Sequence, residues 1–422
     1  MRPITVCCVA AMAIALLAEP PAQAQSRGAL PAAAPAAAAK WIDAWAVSFI
    51  PTTVNGTLQS SRTFESQTLR LNVFAKLGGT QARVRFTNKF TAVPLAIGGA
   101  HIALRTSGSA IDPASDRTLT FKGQARVTIP PGEELWSDSV PLAVKGHTDL
   151  AISVFIPHSY RPTGFHRTGL KSSYVGSGDL TAAASFPAGA ALEARGGPGD
   201  SWTTDQVFLV SGLQVLAPAS THVIVALGDS ITDGAASDTD TNGSWPDVLS
   251  KRLPTLSDGT PVAVINMGIG SNRFVSADRA GPTGTQRFDD DVLARPNVTH
   301  VIIMEGINDI SYEQFRPELL IDAYKAAIAK THAAGIKVLM ATLLPIQNSV
   351  KDTPANLAAQ QAVNKWIRAG EGFDGVIDFE AVVQDPQNPL RIRANLTGDF
   401  VHPNTQGYRL MGDSIDLRLF EK

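Results

Sequence analysis

The sequence predicts two successive folds: an all-β sandwich of jelly-roll type over residues 41–218, then an α/β three-layer sandwich on a parallel sheet over residues 219–422. Two changes of texture predict this. From Trp41 to about Pro218, short runs alternate apolar and polar side chains between Gly and Pro punctuation, and no helix of ordinary length is legible. From Thr221 the runs become continuously apolar, as in strands buried on both faces, and helical patterns lie between them.

In the β-rich half, Thr68–Val73 alternates, Gly78-Gly79 reads as a turn, and Ala82–Thr87 alternates again, so the pair reads as a hairpin. Further short strands are expected at His101–Arg105, Thr118–Phe121, Arg126–Ile129, Leu150–Ile156 and Val207–Val210, with breaks such as Pro130-Pro131-Gly132. Many short strands with regular turns point to a sandwich. In the second half the apolar runs are His222–Leu227, Val262–Ile265, Val301–Met304, Val338–Leu343 and Val376–Phe379. Helices are expected at Pro317–Ala334, started by its proline and stopped by Gly335, at Pro354–Ala369 before Gly370, and at Thr405–Leu419. Strand and helix in alternation imply parallel crossovers. The boundary between the halves falls near Ala217–Ser220.

Residues 1–24 read as an export signal: Arg2, an apolar stretch from Ile4 to Leu17, then Ala22-Gln23-Ala24 as a cleavage site. The apolar run is short of the roughly 20 residues a membrane span needs. An Ala/Pro-rich linker follows over residues 25–40. Both cysteines, Cys7 and Cys8, lie in the signal, so the processed chain is expected to hold no disulfide, thiolate nucleophile or Cys-based metal site. A secreted or periplasmic protein with no membrane anchor after cleavage is the expectation. The formal net charge of −2 argues against nucleic acid or an anionic membrane as partner.

Chemistry in open α/β sheets gathers at the carboxyl ends of the strands. The first strand ends in Gly228-Asp229-Ser230-Ile231, which puts a serine hydroxyl at a helix start, close to backbone N–H groups. Alone, this is also what a helix N-cap serine looks like. Thr232 stands where an α/β-hydrolase elbow would have its last glycine. A serine nucleophile needs a base and the base an orienter. Asp399-Phe400-Val401-His402-Pro403 offers both in a loop ahead of the last helix, with the carboxylate three residues before the imidazole. Asn308, in Gly306-Ile307-Asn308-Asp309, follows the strand Val301–Met304 and offers an amide donor for an oxyanion. Asn266–Arg273 follows Val262–Ile265 and offers backbone N–H groups. Each piece is also ordinary turn chemistry, but together they follow successive strands in an order that assembles one site.

These blocks resemble the SGNH hydrolases, also called GDSL esterases and lipases, from about His222 to the end of the chain. The β-rich first half, with its Trp41–Trp45 start, is similar to the N-terminal part of secreted bacterial members. The resemblance implies a flavodoxin-like parallel-sheet domain and an acyl-enzyme mechanism without metal or cofactor. It implies Ser230 as nucleophile, His402 as base and Asp399 as its orienter, with oxyanion donors from Ser230 N–H, Asn308 and a glycine of the second block. That glycine position is occupied by Ser271, with Gly270 just before it.

The expected substrate is a small-molecule or polysaccharide carboxylic ester, with a short acyl, aryl or O-acetyl group. A carbohydrate-binding protein with an inactive SGNH domain, and an acyltransferase using the same residues, are the competing readings. Activity should rise with pH through the histidine range. Asp229, Asp233 and Asp309 are candidates for supporting the site, as is Arg273 for holding the second-block loop. His101, His147, His158, His166, His222, His300 and His332 read as structural, and Trp41, Trp45, Trp136 and Trp202 as core rather than sugar platforms. Loops 232–244 and 274–288 are expected to wall the pocket. The sequence carries no sign of oligomeric state.

Overall fold

The computed structural model describes Met1, Pro3 and residues 38–421 apart from 55, 56, 59, 61, 188–205, 277–280 and 312–314. The expected signal, nearly all of the linker and Trp202 lie outside the described residues. Residues Ala38–Lys422 form one compact unit.

The first half is built on two large antiparallel sheets, beside smaller two-stranded ones. One orders the strands Ala39–Ala46, Val210–Pro218, Gly79–Thr87 and Glu134–Trp136, with Val140–Val144 also on Gly79–Thr87. The other orders Arg117–Thr118, Gly99–Ser107, Thr148–Ile156, Gln67–Ala75 and Tyr174–Ser177. Ile42, Val84, Phe86 and Val215 of the first sheet and Leu69, Leu71, Ile102 and Ile152 of the second are buried in one hydrophobic core. That core continues into the second half through strands such as Val223–Leu227.

The hairpin expected from the alternating runs does not form. Gln67–Ala75 pairs with Thr148–Ile156 and Tyr174–Ser177, whereas Gly79–Thr87 lies in the other sheet. The two glycines serve close packing instead of a turn. A Cβ on Gly79 would lie 2.7 Å from the Leu216 carbonyl oxygen, and one on Gly78 would lie 2.9 Å from that of Val144. Alternation reports which face of a strand is buried, not which strand lies beside it. The run placed at Val207–Val210 is the lead-in to the longer strand Val210–Pro218, and the one at Thr118–Phe121 is strand only to Thr118.

In the second half, five parallel strands run in the order Val262–Gly268, His222–Gly228, Val298–Met304, Lys337–Ala341, Gly375–Ile377. Numbered along the chain this is 2-1-3-4-5, the flavodoxin-like doubly wound order, whose switch point lies beside the first strand. Continuous apolar runs formed strands here because both faces are covered by helices. Helices Pro317–Ala333 and Pro354–Ala369 begin on prolines, and the second ends on Gly370 at φ 70°. The last helix stops at Ser414, short of Leu419, because Asp416 caps a separate 3-10 turn over Leu417–Phe420. The last strand ends at Ile377, because the Asp378 side chain accepts from Ala381 N–H and starts a helix at Phe379. Helices Trp245–Arg252 and Gly284–Phe288 were not legible in the pattern. Among the described residues no helix is long and apolar enough to cross a membrane.

Candidate active site

Three of the blocks singled out in the sequence follow the carboxyl ends of parallel strands, and the Asp399–His402 loop meets them from ahead of the last helix, Thr405–Ser414. Ser230 is the first residue of a short helix, Ser230–Asp233, directly after strand His222–Gly228. Its N-cap is Asp229, whose carboxylate accepts from Ile231 N–H at 2.9 Å. Capping is therefore done by the aspartate, and the Ser230 hydroxyl is left to face the cleft. Burial pushes the Asp229 carboxyl up to about 6, against the Ile231 hydrogen bond and the neighbouring His402 and Lys351.

Ser230 Oγ lies 2.8 Å from His402 Nε2. His402 Nδ1 lies 2.7 Å from Asp399 Oδ2. A carboxylate oxygen only accepts, so Nδ1 carries the proton and Nε2 presents a lone pair to the serine hydroxyl. Asp399 is held by Val401 N–H at 2.9 Å and His402 N–H at 2.8 Å, both on Oδ1. Partial burial raises its pKa, but the hydrogen bonds from His402 outweigh this and keep the carboxyl well below the usual range. It is an ionised orienter at any working pH.

The second-block loop turns at Ile269–Asn272, closed by Asn272 N–H on the Ile269 carbonyl at 3.1 Å. Ser271 occupies the third position of this turn at φ 64°. That position of a type II turn demands positive φ, which favours glycine and strains serine. The Gly270 amide is turned toward the Asp233 carboxylate, where it lowers the carboxyl's pKa against the larger upward push of burial. Among the described residues Ser271 N–H has no internal acceptor, and Ser271 faces the cleft.

Asn308 Nδ2 donates to Asn272 O at 2.9 Å, while Lys351 Nζ donates to Asn308 Oδ1 at 3.0 Å. The amide is thereby oriented at both ends, with its second N–H still to give. Asp309 accepts from Phe274, Val275 and Ser276 N–H at 2.8, 3.0 and 3.1 Å. It holds the second-block loop through backbone amides, and the Arg273 charge of that loop lowers its pKa against the larger upward push of burial.

Beneath the site, the buried Arg287 ties the strand ends together. Its guanidinium donates to Gly228 O at 2.9 Å, Met267 O at 2.6 Å and Asn272 Oδ1 at 2.9 Å, and pairs with Asp291 and Glu305. Burial pushes the Glu305 carboxyl up to about 8, with Arg287 opposing and Asp229 and Asp309 adding to the shift.

These groups line an open cleft of about 350 Å³. Ser230, Gly270, Ser271, Asn308, Asp399 and His402 all border it. Ala235 represents the expected 232–244 wall, but no described residue of 274–288 borders the cleft. Arg167 and Thr168 of the first half, with Ser311, Val350 and Lys351, take that place. Arg287 and Lys351 carry no catalytic block in the sequence, and their place at the site was not legible there. An Arg–Asp pair four apart, Arg287 and Asp291, was the one legible hint of the first. Of the tryptophans, Trp45 is buried, while Trp41 and Trp136 each lie under the Arg83 guanidinium, which serves structure. Among the described residues no group of His, Cys, Asp and Glu is arranged to hold a metal.

A 2-1-3-4-5 parallel sheet that brings a serine, a histidine and an aspartate into one hydrogen-bonded chain defines the SGNH class of α/β domain. Residues 226–410 match the family described as GDSL-like Lipase/Acylhydrolase, and this part of the chain is such a domain, behind a β-rich N-terminal half. Similar solved structures include a protein assigned to the G-D-S-L lipolytic family from Desulfitobacterium hafniense DCB-2, at 27% identity over 46% of this chain and 96% of that one, with a TM-score of 0.36. An acetyl xylan esterase matches at 24% identity over 46% of this chain and 96% of that one, with a TM-score of 0.37. An acetylxylan esterase from Geobacillus stearothermophilus matches at 20% identity over 47% of this chain and 93% of that one, with a TM-score of 0.36. No curated protein matches the chain.

Ser271 provides a test of which atom faces an oxyanion. Ser271→Gly should leave stability within about 1 kcal/mol, since release of left-handed strain offsets glycine's larger backbone entropy. Activity should stay within a few-fold if the backbone N–H is the donor, whereas a loss on the order of a hundredfold would assign the role to Oγ. Steady-state kinetics with thermal melts on both proteins read this out.

Proposed function

We propose that the chain is an exported serine esterase that hydrolyses carboxylic esters through a Ser230–His402–Asp399 triad and an acyl-enzyme. One observation carries the reading: Ser230 Oγ, His402 and Asp399 form a continuous hydrogen-bonded chain of 2.8 and 2.7 Å that opens on a cleft. Neutral His402 Nε2 takes the Ser230 proton as the oxygen attacks the ester carbonyl. The tetrahedral oxyanion is met by Ser230 N–H, Ser271 N–H and Asn308 Nδ2. His402 then returns the proton to the leaving alcohol, and water repeats the sequence on the acyl-enzyme.

The substrate side is a short acyl, aryl or polysaccharide O-acetyl ester, in a cleft of the size small-molecule sites use. Export to the periplasm or the medium follows from the signal read in residues 1–24, and the halves are read as domains 41–218 and 219–422. A jelly roll is the reading for the first. In its support, Ala39–Ala46 pairs Val210–Pro218, Gln67–Ala75 pairs Thr148–Ile156, Gly79–Thr87 pairs Val140–Val144, and Gly99–Ser107 pairs Arg117–Thr118. This nesting of outer pairs around inner ones is what one long wound hairpin produces.

A fluorophosphonate should label folded protein stoichiometrically at Ser230. Hydrolysis of p-nitrophenyl esters of rising chain length, beside acetylated xylan and pectin, then ranks the acyl and alcohol sides. Absence of label on folded protein would sink the esterase reading in favour of a binding protein.

A further inference from the structure

Asp233 closes the helix that starts with Ser230. This single-turn helix is closed by Asp233 N–H on Asp229 O at 2.9 Å and by Gly234 and Ala235 N–H on Ser230 O at 3.0 and 2.9 Å, so the serine's position is tied through one turn to what grips the other end. Asp233 is 5% exposed and stands at a junction. Strand Val262–Gly268 abuts it so tightly that a Cβ on Gly268 would lie 2.2 Å from Asp233 N. A Cβ on Gly270 would lie 3.9 Å from Asp233 Oδ2. The nucleophile's helix and the second-block loop therefore meet on one carboxylate.

What faces that carboxylate comes from the β-rich half. His166 Nε2 lies 3.1 Å from Asp233 Oδ1. The same nitrogen lies 3.1 Å from Thr168 O, and Nδ1 lies 2.9 Å from Ser48 O. Every one of these partners is an acceptor only. Both ring nitrogens must then donate, which makes His166 an imidazolium and the contact a buried ion pair. The histidine is itself 3% exposed and pinned by a two-way backbone bridge to Val207. The next two residues, Arg167 and Thr168, form part of the cleft wall.

We propose that His166 is a positioning residue: through Asp233 it holds the Ser230 helix and the Ser271 turn in register, so the β-rich half is a working part of the catalytic site. The inference rests on the esterase reading above. It assigns the first half a role that the chemistry of the second half alone does not reveal.

The test compares His166→Ala, His166→Gln, Asp233→Asn and His166→Ala/Asp233→Asn in the full chain, after fluorophosphonate labelling of the parent has established an activated serine and p-nitrophenyl ester hydrolysis has established turnover. Glutamine keeps one donor near Asp233. His166→Ala should lower kcat at least tenfold with KM within a few-fold, and slow the labelling rate in step. His166→Gln should recover part of both, and it stands in should His166→Ala fail to fold. The double variant should be little worse than either single one, because the two groups act as a unit. A second readout needs no turnover. The low-field Nδ1–H resonance of His402, which reports its hydrogen bond to Asp399 and responds through the ring to the Ser230 contact at Nε2, should move in His166→Gln. A folded His166 variant with parental kcat, or an unmoved His402 resonance, overturns the proposal. An unlabelled parent whose His402 resonance still moves in the variant would sink the esterase reading alone.

Discussion

Ser230→Ala is expected to lower kcat/KM for any ester the protein hydrolyses by about 10⁴- to 10⁶-fold, the range seen when a triad nucleophile is removed. The expected loss is large because Ser230 Oγ is the hydroxyl held 2.8 Å from His402 Nε2, while the nearby Thr232 Oγ1 points at the Met304 carbonyl at 3.4 Å. The thermal midpoint should hardly change. The hydroxyl's partner is His402, and the helix cap belongs to Asp229. Stopped-assay kinetics with long incubations, beside melting curves, check both halves of the statement. Residual activity within tenfold of the parent would show that another group attacks the carbonyl.

Asp399→Asn should cost about 10⁴-fold in kcat while leaving the fold intact. Oδ1 of the new side chain can still accept from Val401 and His402 N–H, so the loop keeps its shape. The amide nitrogen then takes the place of Oδ2 and offers N–H toward His402 Nδ1. Nδ1 is forced to accept, the ring proton moves to Nε2, and Nε2 can no longer take a proton from Ser230. Asp399 lies well below the usual carboxylate range, so the parent never shows this defect through acid titration of that group. Nitrogen chemical shifts of His402 should report the switched tautomer. An unswitched ring with the same rate loss would mean that charge, not tautomer, was the contribution.

The second half of the molecule was largely legible because its signals are local. Continuous apolar runs predict doubly covered strands, and the blocks that follow three of them land at one sheet edge for that reason alone. Pro317 and Pro354 at helix starts, and Gly335 and Gly370 at their ends, act on their own backbone. The choice between Gly270 and Ser271 was not legible. It depends on a left-handed φ at 271 and on which amide faces Asp233, and both are properties of the folded turn.

In the first half, alternation marked Thr68–Val73 and Ala82–Thr87 as strands, but it wrongly made them neighbours, and only the second is half-buried: the polar Thr68, Arg70 and Asn72 are buried as well as the apolar residues between them. Their true partners lie far along the chain, from Ala75–Thr148 to Gln67–Ser177 for the first strand and from Thr87–Glu134 to Ala82–Val215 for the second. His166 is the same case in a single residue. Its sequence neighbours give it no metal-ligand spacing and no catalytic block, yet Asp233 meets it from 67 positions on.

What the sequence by itself determined was the kind of chemistry and the strand ends that carry it, because strand type, turn residues and helix starts are set within a few residues of backbone. What only the tertiary structure decided was the company those residues keep: the sheet each strand joins, the amide that faces the cleft, and the buried imidazolium braced against the nucleophile's helix. Such pairings are selected by packing and by the cost of burying an unpaired polar group, and both exist only after distant segments have met.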